Sequence, residues 1–253
     1  MRSVRTRRVL IAVLALLVTA AAPATKPRSK PKSGGVDART ADYVFSYSWP
    51  AHVEAIPALR AHLAADQAER KRTLAGEAAG ARRAAAADPD LRFVPYTLEV
   101  EWQVVTDLPG WLSLSQSNSH FEGGAHPNSG FDSRVWDRKA GRARAPRDIF
   151  VSTKALDAAI QGPFCDALDR KRAVRRGKPV NRASGNDFDA CIAPSEQTLI
   201  LGSTDRKHFN RIGILVSPYA AGPYFEGSYD ITVPVTPAVL QAVKPEFRAA
   251  FGP

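Results

Sequence analysis

The stretch that most constrains the fold runs from Ser117 to Asp137 and reads SNSHFEGGAHPNSGFDSRVWD. Large and small residues alternate in WLSLSQSNSHF before the reversal and in FDSRVW after it, as they do in half-buried strands. Between them Gly123-Gly124-Ala125-His126-Pro127-Asn128 gathers residues that tolerate positive φ or fix φ outright. The chain must therefore contain an antiparallel hairpin here. The rest has to supply neighbouring strands and a second layer against it.

Neighbouring strands are legible on both sides. Tyr43–Trp49 reads as a first strand ended by Pro50, and 93–106 alternates most clearly, with Leu98, Val100, Trp102 and Val104 opposing Glu99, Glu101 and Gln103. Leu108-Pro109-Gly110 turns that strand into the one starting at Trp111. From Ile56 to about Ala87 the chain is rich in Ala, Arg and Glu with only Pro57 near its start, which predicts a long helix. Its apolar stripe is thin, so it should lie on the surface of a sheet. A second helix, capped by Ser152 or Thr153, is expected to run to about Lys171 with a break at Pro163. Three more apolar runs (197–201, 209–217 and 229–235) read as strands, and Thr236-Pro237-Ala238 opens a last short helix, with Phe247 and Phe251 packing at the end. The expected class is α+β: meandering antiparallel sheets with a long N-terminal helix and a few shorter ones. Two consecutive, similar subdomains are expected, 42–145 and 146–253.

The net charge of +10 looks at first like a nucleic-acid signal. Eight positive residues, from Arg2 to Lys32, precede the first acidic residue, Asp37, and removing them from the total leaves +2. Such a near-neutral remainder argues against a nucleic-acid partner. Arg2–Arg8 followed by the apolar run Val9–Ala22 and Ala22-Pro23-Ala24 has the layout of an export signal cleaved near Ala24. The run is shorter than the roughly 20 residues that a membrane span needs. Residues 1–24 are therefore read as a signal peptide and 25–41 as a flexible basic, Pro-rich tether. The expected location is periplasmic or secreted, with membrane contact only through the export signal. In an oxidising compartment the only two cysteines, Cys165 and Cys191, should be bridged.

Most catalytic and cofactor signatures are missing: there is no G-x-S-x-G elbow, phosphate loop, dinucleotide fingerprint, H-E-x-x-H or C-x-x-C. No cofactor is expected. His120, Glu122 and His126 form the one cluster worth weighing as a zinc site with an open position for water, although spacing alone does not bring them together. The bland alternative is polar side chains bonding their own hairpin backbone. Glu226, beside Tyr224 and Tyr229, is a lone candidate for a general acid.

The GGAHPN turn, the strand after it, the Lys139-Ala140-Gly141-Arg142 turn and Asp148-Ile149-Phe150 together resemble the N-terminal domain of unknown function in PdaC-type peptidoglycan deacetylases. The second half is similar to the domain that usually follows it, also present in RsiV-type lysozyme-sensing anti-sigma factors. That similarity rests on 209–218, on Tyr219-Ala220-Ala221-Gly222-Pro223 and on the strand from Tyr229 to Pro234. It extends from about Tyr43 to Phe251. Neither the deacetylase catalytic domain nor the anti-sigma segment is recognisable here. The resemblance thus implies an exported module without its own catalysis, binding cell-wall glycan or a lysozyme-like protein. The candidate ligand-binding residues are His120, Glu122, Gly123, Gly124, His126, Asn128, Tyr219, Tyr224 and Phe225. The alternative is a metal-dependent hydrolase of wall polymers using His120, Glu122 and His126.

Overall fold

The strands β1 (Gly34–Arg39), β2 (Tyr43–Trp49), β3 (Tyr96–Leu108), β4 (Trp111–Phe121), β5 (Asn128–Asp137) and β6 (Arg142–Arg144) form one sheet in sequence order. They belong to a computed structural model that describes residues 34–253. The expected signal peptide and the first part of the tether lie outside the described residues. The tether is shorter than expected, because residues 34–39 pair antiparallel with β2. Gly34 and Gly35 make this possible. A Cβ at Gly34 would strike the Trp49 indole and the Glu54 carboxylate, and one at Gly35 would strike the Tyr47 carbonyl. The composition of a linker here serves a close backbone approach.

All pairings in this sheet are antiparallel except β2 with β3, which run parallel. Parallel neighbours need a crossover, here the short α1 (Ala51–Glu54) and the long α2 (Pro57–Ala87). Pro57 sits at the first position of α2, where its missing N–H costs nothing, and the chain leaves the helix at Asp88 ahead of Pro89. Leu59, Leu63, Leu74 and Ala78 are its buried positions. The three leucines belong with a sheet face built from Phe45, Tyr47, Trp49, Val100, Trp102, Leu112, Leu114 and Trp136. Polar groups within this layer are paired: Trp102 Nε1 donates to the Tyr47 hydroxyl (2.7 Å), which donates to Asp66 Oδ2 (2.8 Å).

The second half begins with α3 (Thr153–Arg176), whose Ser152 cap accepts from the Ala155 N–H at 3.0 Å. Pro163 does not break it. Leu156, Ile160, Phe164 and Leu168 form one buried stripe straight through that point. Burying four such side chains outweighs the roughly 3 kcal/mol cost of an internal proline. The helix continues past Lys171 to Arg176 and stops at Gly177, in the left-handed region (φ 65°). A disulfide joins Cys165 to Cys191, with Cα atoms 5.5 Å apart. Strands β7 (Thr198–Gly202), β8 (Arg211–Val216) and β9 (Tyr229–Pro234) form a three-stranded antiparallel meander, followed by α4 (Pro237–Ala242) with Thr236 as its cap.

The fold is α+β in two consecutive subdomains, as expected, although their sheets differ in size. Six strands stand in one and three in the other. One core cluster draws on both sheets. Leu108 and Val135 of the first sheet belong to the same cluster as Ile149, Phe164, Ile214 and Ile231. Trp111 packs on Phe209 (6.2 Å) and Phe247 (5.9 Å). Across the seam the Leu201 N–H donates to Ser113 Oγ, and Thr198 Oγ1 donates to the Phe131 carbonyl. No helix among the described residues is long and apolar enough to cross a membrane.

Candidate binding surface at the hairpin tip

The β4–β5 ladder closes with His120 opposite Asn128, leaving residues 121–127 as the reversal. Gly123 (φ 96°) and Gly124 (φ 99°) both hold conformations that side-chain-bearing residues rarely adopt. They carry the chain round so that His126 leaves the hairpin and meets the connector between β8 and β9. Its ring stacks on Tyr224, with centroids 3.7 Å apart and planes 15° from parallel. His126 Nδ1 lies 2.9 Å from the Pro127 carbonyl. A carbonyl can only accept, so Nδ1 carries the proton, and in the neutral ring Nε2 accepts from the Tyr219 hydroxyl at 3.2 Å. The Tyr224 hydroxyl donates to the same Pro127 carbonyl at 2.8 Å.

The connector presents these rings because of its own turn chemistry. Tyr219 sits at φ 69°, at a cost of about 1–2 kcal/mol for a residue with a side chain. Pro223 leads into a single 3-10 turn, Tyr224–Glu226, and Gly227 leaves it at φ 67°. The result is an aromatic ledge open to solvent, with Tyr219 53% and Phe225 85% exposed.

A charge network fastens the ledge from behind. Arg176 grips the Glu226 carboxylate with two nitrogens (2.8 and 3.0 Å) and reaches Asp189 at 2.6 Å, while the Tyr229 hydroxyl donates to Glu226 Oε2. Burial pushes the Glu226 carboxyl up, but the Arg176 guanidinium and the Tyr229 hydroxyl outweigh it and hold the group below its ordinary range. Glu226 is therefore an ionised anchor, its carboxylate occupied by Arg176 and Tyr229 and not held protonated as a general acid would be. A Cβ at Gly222 would overlap this carboxylate. Arg172, with no exposed surface, donates to the carbonyls of Ala221 (2.8 Å) and Ala190 (2.9 Å) and to Asp169 (3.2 Å). It ties the connector to the disulfide loop.

The metal reading fails on geometry. Both His126 nitrogens have partners on the hairpin and connector, and Glu122 is exposed. Among the described residues no group of three or more His, Cys, Asp or Glu side chains is placed to hold a metal ion. Of the nine candidate residues, His126, Tyr219 and Tyr224 touch one another. Phe225 follows on the same turn, Gly123 and Gly124 shape the tip, and His120 and Asn128 close its base. Sequence reasoning missed the Pro127 carbonyl, the hub of two of these hydrogen bonds, because a backbone group leaves no mark in the sequence. It also missed Arg176, hidden in a basic run. Beside the hairpin, on the sheet face away from α2, Ser46, Ser48, Glu99, Glu101, Ser117 and Ser119 line a shallow polar recess of about 300 Å³.

Residues 38–129, from the end of β1 to the hairpin tip, match the family model described as deacetylase PdaC. Among solved structures the chain is similar to a member of the DUF3298 family from Bacteroides fragilis NCTC 9343. The identity is 14% and the TM-score 0.50, over 80% of this chain and 90% of that one. It is also similar to a DUF3298 family protein from Pseudomonas aeruginosa PAO1, with 14% identity and a TM-score of 0.43 over 89% of this chain and 99% of that one. No curated protein matches the chain. The chain thus carries a PdaC-like segment within a DUF3298-like fold.

Proposed function

We propose that this chain is an exported, non-catalytic binding module of the bacterial cell envelope, and that the ledge at the hairpin tip recognises peptidoglycan glycan. The observation that carries the reading is the stacked His126–Tyr224 pair flanked by solvent-exposed Tyr219 and Phe225. Flat rings held rigidly by their own hydrogen bonds offer sugar faces a contact surface at little entropic cost. The recess of Ser and Glu side chains beside the hairpin supplies donors and acceptors for hydroxyl groups. Nearness to a family described as a deacetylase is consistent with a wall polymer as ligand, and the basic, apolar layout of residues 1–24 with export.

The test is co-sedimentation of the exported protein with purified peptidoglycan, alongside titration with lysozyme, at low and moderate salt. Charge attraction between exposed groups fades once the screening length falls to about 10 Å near 0.1 M salt, whereas stacking does not. Salt-resistant sedimentation, lost in Phe225→Ser and Tyr224→Ala, is the expected result. Binding to lysozyme alone would transfer the ledge to a protein ligand. Failure to bind either would refute the proposal.

A further inference from the structure

Strand β9 is paired on one side only. Its neighbour is β8, and among the described residues no strand meets its other edge. The C-terminal half of α3 runs alongside, and between them lies a groove of about 580 Å³ lined by Arg170, Lys171 and Val174 on the helix and Asp230, Ile231 and Thr232 on the strand. Side chains of consecutive strand residues point to opposite faces, and that of Ile231 is buried. What three such residues present together is the strand's edge, a row of backbone N–H and C=O groups. Pro234 stands only at its end, no lysine lies along it, and Asp230 is the single charged side chain on the strand.

The helical wall is basic and partly apolar. Val174 is 84% exposed. Neighbouring arginines are already engaged: Arg172 and Arg176 hold carboxylates, and Arg175 donates to the carbonyls of Glu226 and Ser228 while lying over the Tyr229 ring. Arg170 and Lys171 are exposed and form no ion pair among the described residues.

We propose that this groove takes an extended peptide segment bearing carboxylates, which adds to β9 as a fourth strand and sets its acidic side chains against Arg170 and Lys171. Strand addition supplies affinity through main-chain hydrogen bonds, and charge selects the sequence. The chain's own first 33 residues are the wrong sign for this wall, with eight positive and no negative side chains. The outer edge of β1 in a second copy carries one Asp and one Arg, which cancel. The inference does not depend on the aromatic ledge.

The test uses the whole protein and three labelled peptides of about ten residues, enough to outlast a typical strand. One alternates Glu with Val and Thr, the second replaces every Glu with Lys, and the third is the Glu peptide N-methylated at alternate residues. By fluorescence anisotropy the Glu peptide should bind, the Lys peptide should bind at least about tenfold more weakly, and the methylated peptide should not bind. Arg170→Glu combined with Lys171→Glu, both at exposed positions, should weaken the Glu peptide about tenfold without moving the melting temperature. Equal binding of the Glu and Lys peptides, or of the methylated one, overturns the proposal, as does absence of binding at about 1 mM. Self-association in sedimentation that the double variant abolishes also overturns it, since a second copy would then be the occupant.

Discussion

Tyr219 holds a backbone angle that costs about 1–2 kcal/mol, and what it gains is the placement of one hydroxyl beside His126 Nε2. Tyr219→Gly separates strain from contact. Glycine adopts φ 69° freely, so the variant should melt within a few degrees of the parent while losing most affinity for the ledge's ligand. Equal loss of stability and binding would mean that the tyrosine is structural. Glu226 gives a pH prediction. Its folded carboxyl titrates below the ordinary range, so the stabilisation is fully present above the unfolded-state pKa of about 4.3 and is lost as pH falls through the folded value. Glu226→Gln should therefore cost about 3 kcal/mol near neutrality, and the gap between the two proteins should close progressively below about pH 4. A gap that stays constant from pH 7 to 3 in thermal melts would show that the Arg176 pair contributes nothing through charge.

At the scale of elements, the stretch from Gly177 to Gln197 shows how polar segments are held without a core of their own. It has two 3-10 turns, the disulfide and a web of hydrogen bonds from Arg172, Arg176 and Arg182. The cysteines are 26 residues apart, so opening the bridge should cost about 3.5 kcal/mol on the chain-entropy account. Cys165→Ser with Cys191→Ser, unfolded in urea, checks the figure. A loss well under about 1 kcal/mol would mean that the arginines already confine the loop in the denatured chain. The hairpin works differently. Its strands are long and its ladder regular, so only residues 122–127 depart from β geometry, and from them His126 reaches the ledge on the connector.

For the whole molecule, the decisive fact is that the larger core cluster crosses from one sheet to the other. With Leu108, Val135 and Trp111 packed into the same cluster as α3 and β8, neither half can leave without exposing the other's apolar surface. One cooperative calorimetric transition is expected, and residues 146–253 expressed alone should lack a sharp transition. Two resolved transitions, or a well-folded isolated half, would contradict a shared core. The same packing brings the hairpin tip against the connector between β8 and β9, so the ledge exists only in the assembled chain.

Period-two alternation, proline and glycine stops and an Ala-rich run without an internal proline were enough to locate the strands from β2 onward except the short β6, the long helix and the reversal at Gly123-Gly124, because those signals act within a few residues. The cysteine pair was legible for the same kind of reason, there being no other partner for either thiol. Two errors came from reading local preference where distant contacts decide. Pro163 lies inside a helix whose buried stripe outweighs the proline, and the Gly34-Gly35 pair forms a strand because Tyr47 and Trp49 leave no room for a side chain. The parallel pairing of β2 with β3, the grip of Arg176 on Glu226 and the meeting of His126 with Tyr219 and Tyr224 join residues about 50 to 100 positions apart. Sequence determined which segments could form each element. Only tertiary packing decided which polar groups would meet, because a pairing across such a distance depends on how whole sheets and helices settle and not on the preferences of the two residues that touch.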